Sequence, residues 1–363
     1  MTEKEYLFLV SHIAGIGAVT IHKMREYFGS FEAVWKAKEQ SIQDANLLTP
    51  KRLEAFRECK KLEVQYLREY EKLKNDNMNY ITCFEEEYPG RLAYFKDRPA
   101  GLFVKGELPG DDTPTAAIVG ARNCTEYGRQ MAEYMGRELS NAGVSIISGL
   151  ALGVDGAAHK GCLEGGSKTF AVLGCGVNVC YPRENYRLFS KIQEQGGVIS
   201  EFLPGTAPVS MNFPMRNRII SGLSDVVIII EAREKSGSLI TGDLALEQGK
   251  EVYAVPGRVN DPLSAGCNKL LQIGAAICLG PEDVLDFFDL KYKRKLGENK
   301  ISEKRLAKRE KLVYSFLDSR PKSLEEIVTF CQITVSEAME SLMTLELMGM
   351  IRSDGNQYYC RKM

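Results

Sequence analysis

Residues 213–257, FPMRNRIISGLSDVVIIIEAREKSGSLITGDLALEQGKEVYAVPG, hold the pattern from which the fold is read. Asp225–Ala232 is an apolar run without polar alternation, the mark of a strand buried on both faces, and Glu251–Gly257 is a second such run. Between them Lys235-Ser236-Gly237-Ser238 forms a turn that opens a helical pattern, LITGDLALEQG. Strand, turn, helix and strand in that order make a parallel crossover unit. The same alternation extends backwards through GGVISE, TFAVLG, VSIISGL and TAAIVGA to Thr115, and forwards to AAICLG. Residues 113–288 are therefore expected to form an α/β domain, a Rossmann-like, doubly wound, mostly parallel sheet. Of the 33 glycines, 26 fall between Gly101 and Gly280, so the special backbone geometry is concentrated there too.

The flanks read differently. Residues 1–78 are helical in periodicity, with Pro50 their only proline, and Gly15-Ile16-Gly17 ahead of a helix suits a helix-hairpin-helix turn. Residues 79–112 carry Pro89, Pro99 and Pro109 and read as a connector packed on the central domain. Residues 289–304 read as a basic linker: ten basic residues stand against three acidic ones from Lys291 to Lys311. From about 305 to 363, three helical stretches followed by a hairpin with an Asp354-Gly355 turn suggest a C-terminal winged-helix domain. Its third helix, Thr334 to Met348, contains Glu337, Glu340 and Glu346 and no Lys or Arg, a poor composition for reading a DNA groove.

Composition closes several routes. Lys plus Arg number 47 and Asp plus Glu 48, a net charge of −1, so no bulk positive field attracts nucleic acid. Even Thr113–Asp286 holds 15 basic and 18 acidic residues. Any polyanion site must be a local constellation. Ten cysteines with no Cys-x-x-Cys pair, and three histidines, give no zinc-ligand spacing, so no metal is expected. No apolar run approaches the roughly 18 residues of a membrane span, and the N-terminus lacks the pattern of a signal peptide, so a cytoplasmic protein with no membrane partner is expected.

Nucleotide motifs fail in detail. Gly120-Ala121-Arg122 follows the first strand of the alternation but is no Gly-x-Gly-x-x-Gly, and Gly174-Cys175-Gly176 has Val179 where the third glycine belongs. The run Gly161–Thr169 resembles a phosphate loop with one residue too many and with helix and strand reversed. No cofactor is therefore expected. What remains at the carboxyl ends of the strands is a set of glycine, hydroxyl and basic loops: Gly120–Arg122, Ser148-Gly149, Gly174 to Gly176, Phe213–Arg218 with Asn217, and Lys235 to Ser238. Open parallel sheets bind ligands outside those ends, and the Ser236-Gly237-Ser238 turn aims a helix N-terminus at an anion. Arg122, Arg216, Arg218, Lys168 and Lys235 are the cations expected to converge there. For acid–base chemistry, Asp155 and His159 lie four apart on a helical pattern, but Asp155 serves equally as a cap. Glu201 and Glu231 suit either amide binding or structural pairing.

VGARNCTEYG, SGLALGVDGAAH, TFAVLGCGVNVCYPREN, the 213–257 run and SAGCNKLLQIGA, in this order, resemble the DNA-processing protein A (DprA/Smf) family. Many members carry a sterile-alpha-motif-like or helix-hairpin-helix domain before the sheet and a winged helix after it. The resemblance implies a homodimeric, non-enzymatic protein that binds single-stranded DNA without a nucleotide cofactor. Such a protein protects incoming DNA and loads the RecA recombinase onto it in natural transformation and homologous recombination, with single-strand-binding protein as a further candidate partner. It assigns Arg122 to a backbone contact, Phe213 to base stacking and Arg216 and Arg218 to a basic loop; Lys168 takes the basic position before the third strand. Ala121 stands where many members have serine, leaving only its backbone amide as a contact. Two rivals come from other classes. Phosphoribohydrolases share the fold but carry Pro-Gly-Gly-x-Gly-Thr-x-x-Glu, where this chain reads Lys235-Ser236-Gly237-Ser238-Leu239-Ile240-Thr241. A winged-helix DNA-binding regulator is disfavoured by the acidic third helix.

Overall fold

The computed structural model describes residues 1–290, 306–318, 320–353 and 357–361. Most of the expected basic linker, from residue 291, and the Asp354-Gly355 turn lie outside the described residues. The chain divides into two compact units, Met1–Lys291 and Tyr292–Met363.

The first unit is built on a nine-stranded sheet ordered β1-β2-β6-β5-β4-β3-β7-β8-β9. Its strands are β1 Asn79–Thr82, β2 Gly101–Gly106, β3 Thr115–Val119, β4 Ser145–Ser148, β5 Thr169–Val172, β6 Gly196–Ser200, β7 Val226–Ile229, β8 Glu251–Ala254 and β9 Ala276–Ile277. From β6 to β9 every neighbouring pair is parallel. The central strands β3 to β7 are buried at every position, as their unbroken apolar runs require. This is an α/β, Rossmann-like sheet. Residues 79–112 do more than connect: β1 and β2 lengthen the sheet by two antiparallel strands.

Six helices precede the sheet, from Glu3–Ser11 to Glu63–Asn75. Their core runs on into the sheet: Phe8 of the first helix meets Tyr80 of β1 and Phe103 of β2, with ring centroids 5.7 and 6.1 Å apart. The opposite sheet face buries Val119, Ile147, Val172, Ile229 and Ala254 under helices of the crossovers.

In the second unit, helices Lys308–Phe316, Leu324–Cys331 and Val335–Leu347 surround a core of Val313, Ile327, Ala338, Leu342 and Ile351. A three-stranded antiparallel sheet, β10 Lys322–Ser323, β11 Ile351–Ser353 and β12 Tyr358–Arg361, completes it in the order β10-β12-β11. Ser323 with Glu326, and Thr334 with Glu337, form capping boxes that fix where the second and third helices start.

Candidate nucleic-acid interface

The chain leaves β3 for β4 on one side and returns beside β3 as β7, from which it continues outward to β8. The loops after β3 and β7 therefore part company, and a crevice opens at this switch point. It is a cleft of about 840 Å³. Gly120, Ala121 and Arg122 line one wall, Lys235, Ser236, Gly237 and Ser238 another, and Phe213, Arg216 and Asn217 contribute from the helix that precedes β7. That helix, Asn212–Leu223, contains the whole Phe213–Arg218 segment, so the loop expected there is instead the first turns of a helix.

The cleft has an exposed layer and a buried one. In the exposed layer, the Phe213 ring stacks on Tyr181 at 5.7 Å and 28°, and the Arg122 guanidinium lies over it, 4.9 Å from its centroid. Gly174 makes room for this ring: a Cβ there would come within 2.8 Å of it. Arg122, Arg233 and Lys235 are exposed, and none of them enters an ion pair among the described residues.

In the buried layer, Arg216 is only 4% exposed. It donates from Nη1 to the carbonyls of Gly149, at 2.9 Å, and Val172, and from Nε to Asn217 at 3.2 Å. Burial lowers its guanidinium to about 10, so it stays charged at neutral pH. Asp155 accepts the Gly149 amide at 3.1 Å; burial raises its carboxyl, with the nearby Arg216 charge opposing that rise. Asn185 donates to the carbonyls of Leu150 and Ala151 at 2.9 and 3.2 Å. Together these groups hold the loop after β4 with Leu150 at φ 57, a backbone conformation that a bulky side chain rarely adopts. Gly153, at φ 75, lets this loop back onto the Arg122 loop: a Cβ there would meet the carbonyl oxygens of Ala121 and Arg122.

Several expected contacts are not available in the cleft. The Ala121 amide donates to the Glu231 carbonyl at 2.7 Å, and the buried Ser148 hydroxyl to Ile118 at 2.6 Å. The Gly176 amide is bonded to Thr206 at 2.9 Å. Arg218 is held by Glu201 at 2.6 Å and by Asp97 at 3.4 Å. Lys168 precedes β5, at the opposite end of the sheet, and pairs with Glu107. Parallel strands place only the residues that follow them at the ligand end, so Lys168 was assigned to the wrong end. Glu231 does bind an amide, that of Thr125, at 2.8 Å. His159 turns from Asp155 to Thr169, at 2.7 Å, so no catalytic dyad forms.

Tyr181 and Arg233 line the cleft without having been singled out from the sequence. Tyr181 follows the Gly174–Gly176 turn, and Arg233 lies two residues beyond Glu231 in the loop after β7. For Arg233, four residues past the end of β7, that place was the available signal; Tyr181, nine residues past β5, carried none as clear.

A family model described as DNA recombination-mediator protein A matches residues 79–289. Protein Smf of Escherichia coli is 43% identical over 215 residues, 59% of this chain and 58% of that protein, so the match spans less than two thirds of that relative. The DNA processing protein DprA of Streptococcus pneumoniae is 44% identical over 209 residues, 58% of this chain and 74% of its own length. Its X-ray structure aligns with a TM-score of 0.68 at 35% identity, covering 79% of this chain and 98% of that one. DNA processing protein A from Helicobacter pylori, whose structure is described as giving insight into its single-stranded DNA binding mode, aligns with a TM-score of 0.53 at 34% identity, covering 59% and 98%. With more than half of its residues matched, the whole nine-stranded sheet and its cleft included, the chain belongs to the DNA recombination-mediator protein A family.

Proposed function

We propose that the cleft over β3 and β7 binds a single strand of DNA, and that the protein, acting as a homodimer, protects this strand and delivers it to a RecA-type recombinase during transformation or recombination. The observation that carries the reading is the half-buried Phe213 ring stacked with the exposed Tyr181 and Arg122, between loops that bring unpaired cations. Aromatic stacking needs unpaired bases and tolerates any sequence, at about 1–3 kcal/mol per base. The single-strand binding described for the Helicobacter pylori relative supports the same reading.

Of the five cations expected from sequence, two, Arg122 and Lys235, are exposed in the cleft, and Arg233 joins them to make three. At about −0.7 per phosphate contact, affinity for a short single strand should fall with salt at a slope near −2. A slope near zero overturns the electrostatic part. Phe213→Ala and Arg122→Ala should each weaken binding about tenfold in a fluorescence-anisotropy titration while the thermal midpoint stays close to that of the unaltered protein. Unfolding of either variant would make that residue structural and remove its assigned role.

A nucleotide-cleaving enzyme is less well supported. Among the described residues lining the cleft, Asp155 is the sole carboxylate, and it is committed to the loop after β4. Incubation with AMP should release no base. We read the carboxy-terminal unit as a winged helix that does not enter a DNA groove: Glu337 and Glu340 of its third helix face Arg309 at 2.9 and 3.5 Å, and the helix brings no cation of its own. Duplex competitor in tenfold excess should therefore leave the single-strand complex of the full chain intact.

A further inference from the structure

Beyond the cleft, the segment that follows Tyr181 interleaves aromatic and basic residues, Tyr181-Pro-Arg183-Glu-Asn185-Tyr186-Arg187, and runs into the helix Tyr186–Glu194, which carries Lys191. Tyr186 is 62% exposed. Arg183, Arg187 and Lys191 are exposed, and among the described residues none of them enters an ion pair. Arg187 and Lys191, four residues apart, lie on one helix face, and both line a second groove of about 640 Å³. The opposite wall, on the helix Val154–Gly165, is charge-neutralised: Lys160 pairs with Glu133 at 2.9 Å and lies 3.8 Å from Glu164. Glu184 is the one lining carboxylate without an ion pair among the described residues. On the Tyr186–Glu194 side Arg183, Arg187 and Lys191 stand against Glu184 and Glu194, so the free charge there is a net one positive.

This groove adjoins the cleft. Asn185, which pins Leu150 and Ala151, lines the groove, while Ala151 lines the cleft. Gly153 lines the groove and backs directly onto the Arg122 loop. Tyr181 is stacked on Phe213 at the mouth of the cleft, and Tyr186 follows five residues later, no more than about 17 Å of extended chain. Base-stacking aromatics beside a cationic groove are what a sequence-tolerant single strand requires.

We propose that the groove beside the helix Tyr186–Glu194 is a second single-strand subsite: Arg187 and Lys191 of its lining, with Arg183 exposed beside it, follow the sugar–phosphate chain leaving the cleft, and Tyr186, exposed at the start of the same helix, stacks a base. The inference rests on the cleft being the first subsite. It divides the labour: the cleft holds a short oligonucleotide by itself, and the groove adds affinity only when the strand is long enough to reach it.

The test uses the full chain, with oligothymidylates of about 5 and about 20 nucleotides. A Tyr186→Ala variant and a triple Arg183→Gln, Arg187→Gln, Lys191→Gln variant are compared with Arg122→Ala, after thermal melts establish that all are folded. Both groove variants should bind the short strand as the unaltered protein does and the long strand about tenfold more weakly. The triple variant should also lose about 2 from the long-strand salt slope, at about 0.7 per contact. Unchanged affinity and slope on the long strand overturn the subsite. So does an equal loss on both lengths, because these residues would then act on the cleft. Arg122→Ala reports separately: loss of short-strand binding upholds the cleft whatever the groove variants do. Short-strand affinity unaffected by Arg122→Ala refutes the cleft, and the groove proposal falls with it.

Discussion

Arg122 and Arg216 both lie near the carboxyl ends of the strands, both carry a full charge, and both line the same cleft, yet they do opposite work. Arg122 is exposed above an aromatic ring and makes no ion pair among the described residues, so its charge is open to whatever enters. Arg216 is buried and spends its donors on the carbonyls of Gly149 and Val172. A cation in a binding cleft is a ligand contact only if the fold has not already satisfied it. The same division separates Phe213, whose ring contacts the exposed Tyr181 and Arg122, from Asn217, whose amide donates to the Gly237 carbonyl at 3.1 Å.

Truncating the buried member should therefore damage the fold. Arg216→Ala removes the charge facing the buried Asp155 carboxyl and frees the Leu150 loop to relax. The carbonyls of Gly149 and Val172 and the Asn217 side chain would lose the buried guanidinium that bonds them; at about 1–3 kcal/mol for each buried group left unsatisfied the loss is about 3–5 kcal/mol, which for a unit of this size lowers the thermal midpoint on the order of 10 °C. Arg122→Ala should leave that midpoint nearly unmoved. If the two variants melt alike, the layers are not distinct.

A smaller effect separates the layers by pH. His159 is buried, and its Nδ1 must donate to Thr169, because the Thr169 hydroxyl proton is already given to Ile146 at 2.8 Å. Burial, with the Arg216 charge adding to it, pushes the imidazole down to about 3. The unfolded chain takes up a proton near 6.5 and the folded one only near 3, so stability falls as pH drops through that window. By pH 5 the loss attributable to His159 is about 2 kcal/mol. Denaturant midpoints at pH 7 and pH 5 should therefore converge in His159→Gln relative to the unaltered protein, while short-strand affinity at pH 7 stays the same. An undiminished pH dependence in the variant would show that His159 is not the group responsible.

The sheet was legible because its strands are buried on both faces, and continuous runs such as DVVIIIEA have few other places to go. The position of the candidate cleft was legible for the same reason: strand ends fix where the loops emerge. The state of each side chain was not. Arg216 and Arg218 read alike in sequence, and only the fold shows that one meets carbonyls and the other Glu201. The Ala121 amide looked free because its acceptor, the Glu231 carbonyl, lies 110 residues further along the chain. Tyr181 meets Phe213 only because the helix Asn212–Leu223 carries that ring to it.

The smallest expected effect gives the sharpest test of the comparison, because it concerns a cation that sequence placed with Arg122 and the fold does not. Lys168 stands one residue before β5, about 13 Å of strand from the end where the cleft opens. Its ammonium pairs with Glu107 in the open, where the two side chains are 56% and 62% exposed. Exposed pairs contribute little, so Lys168→Ala should shift the thermal midpoint by no more than about 2 °C. Its distance from the cleft also exceeds the screening length of about 8 Å at physiological salt, so short-strand affinity should change less than about twofold. The salt slope should stay where the unaltered protein has it. Were Lys168→Ala instead to lower affinity as Arg122→Ala does, the strand would have to contact the amino end of the sheet, and the switch point between β3 and β7 would no longer be sufficient to explain binding.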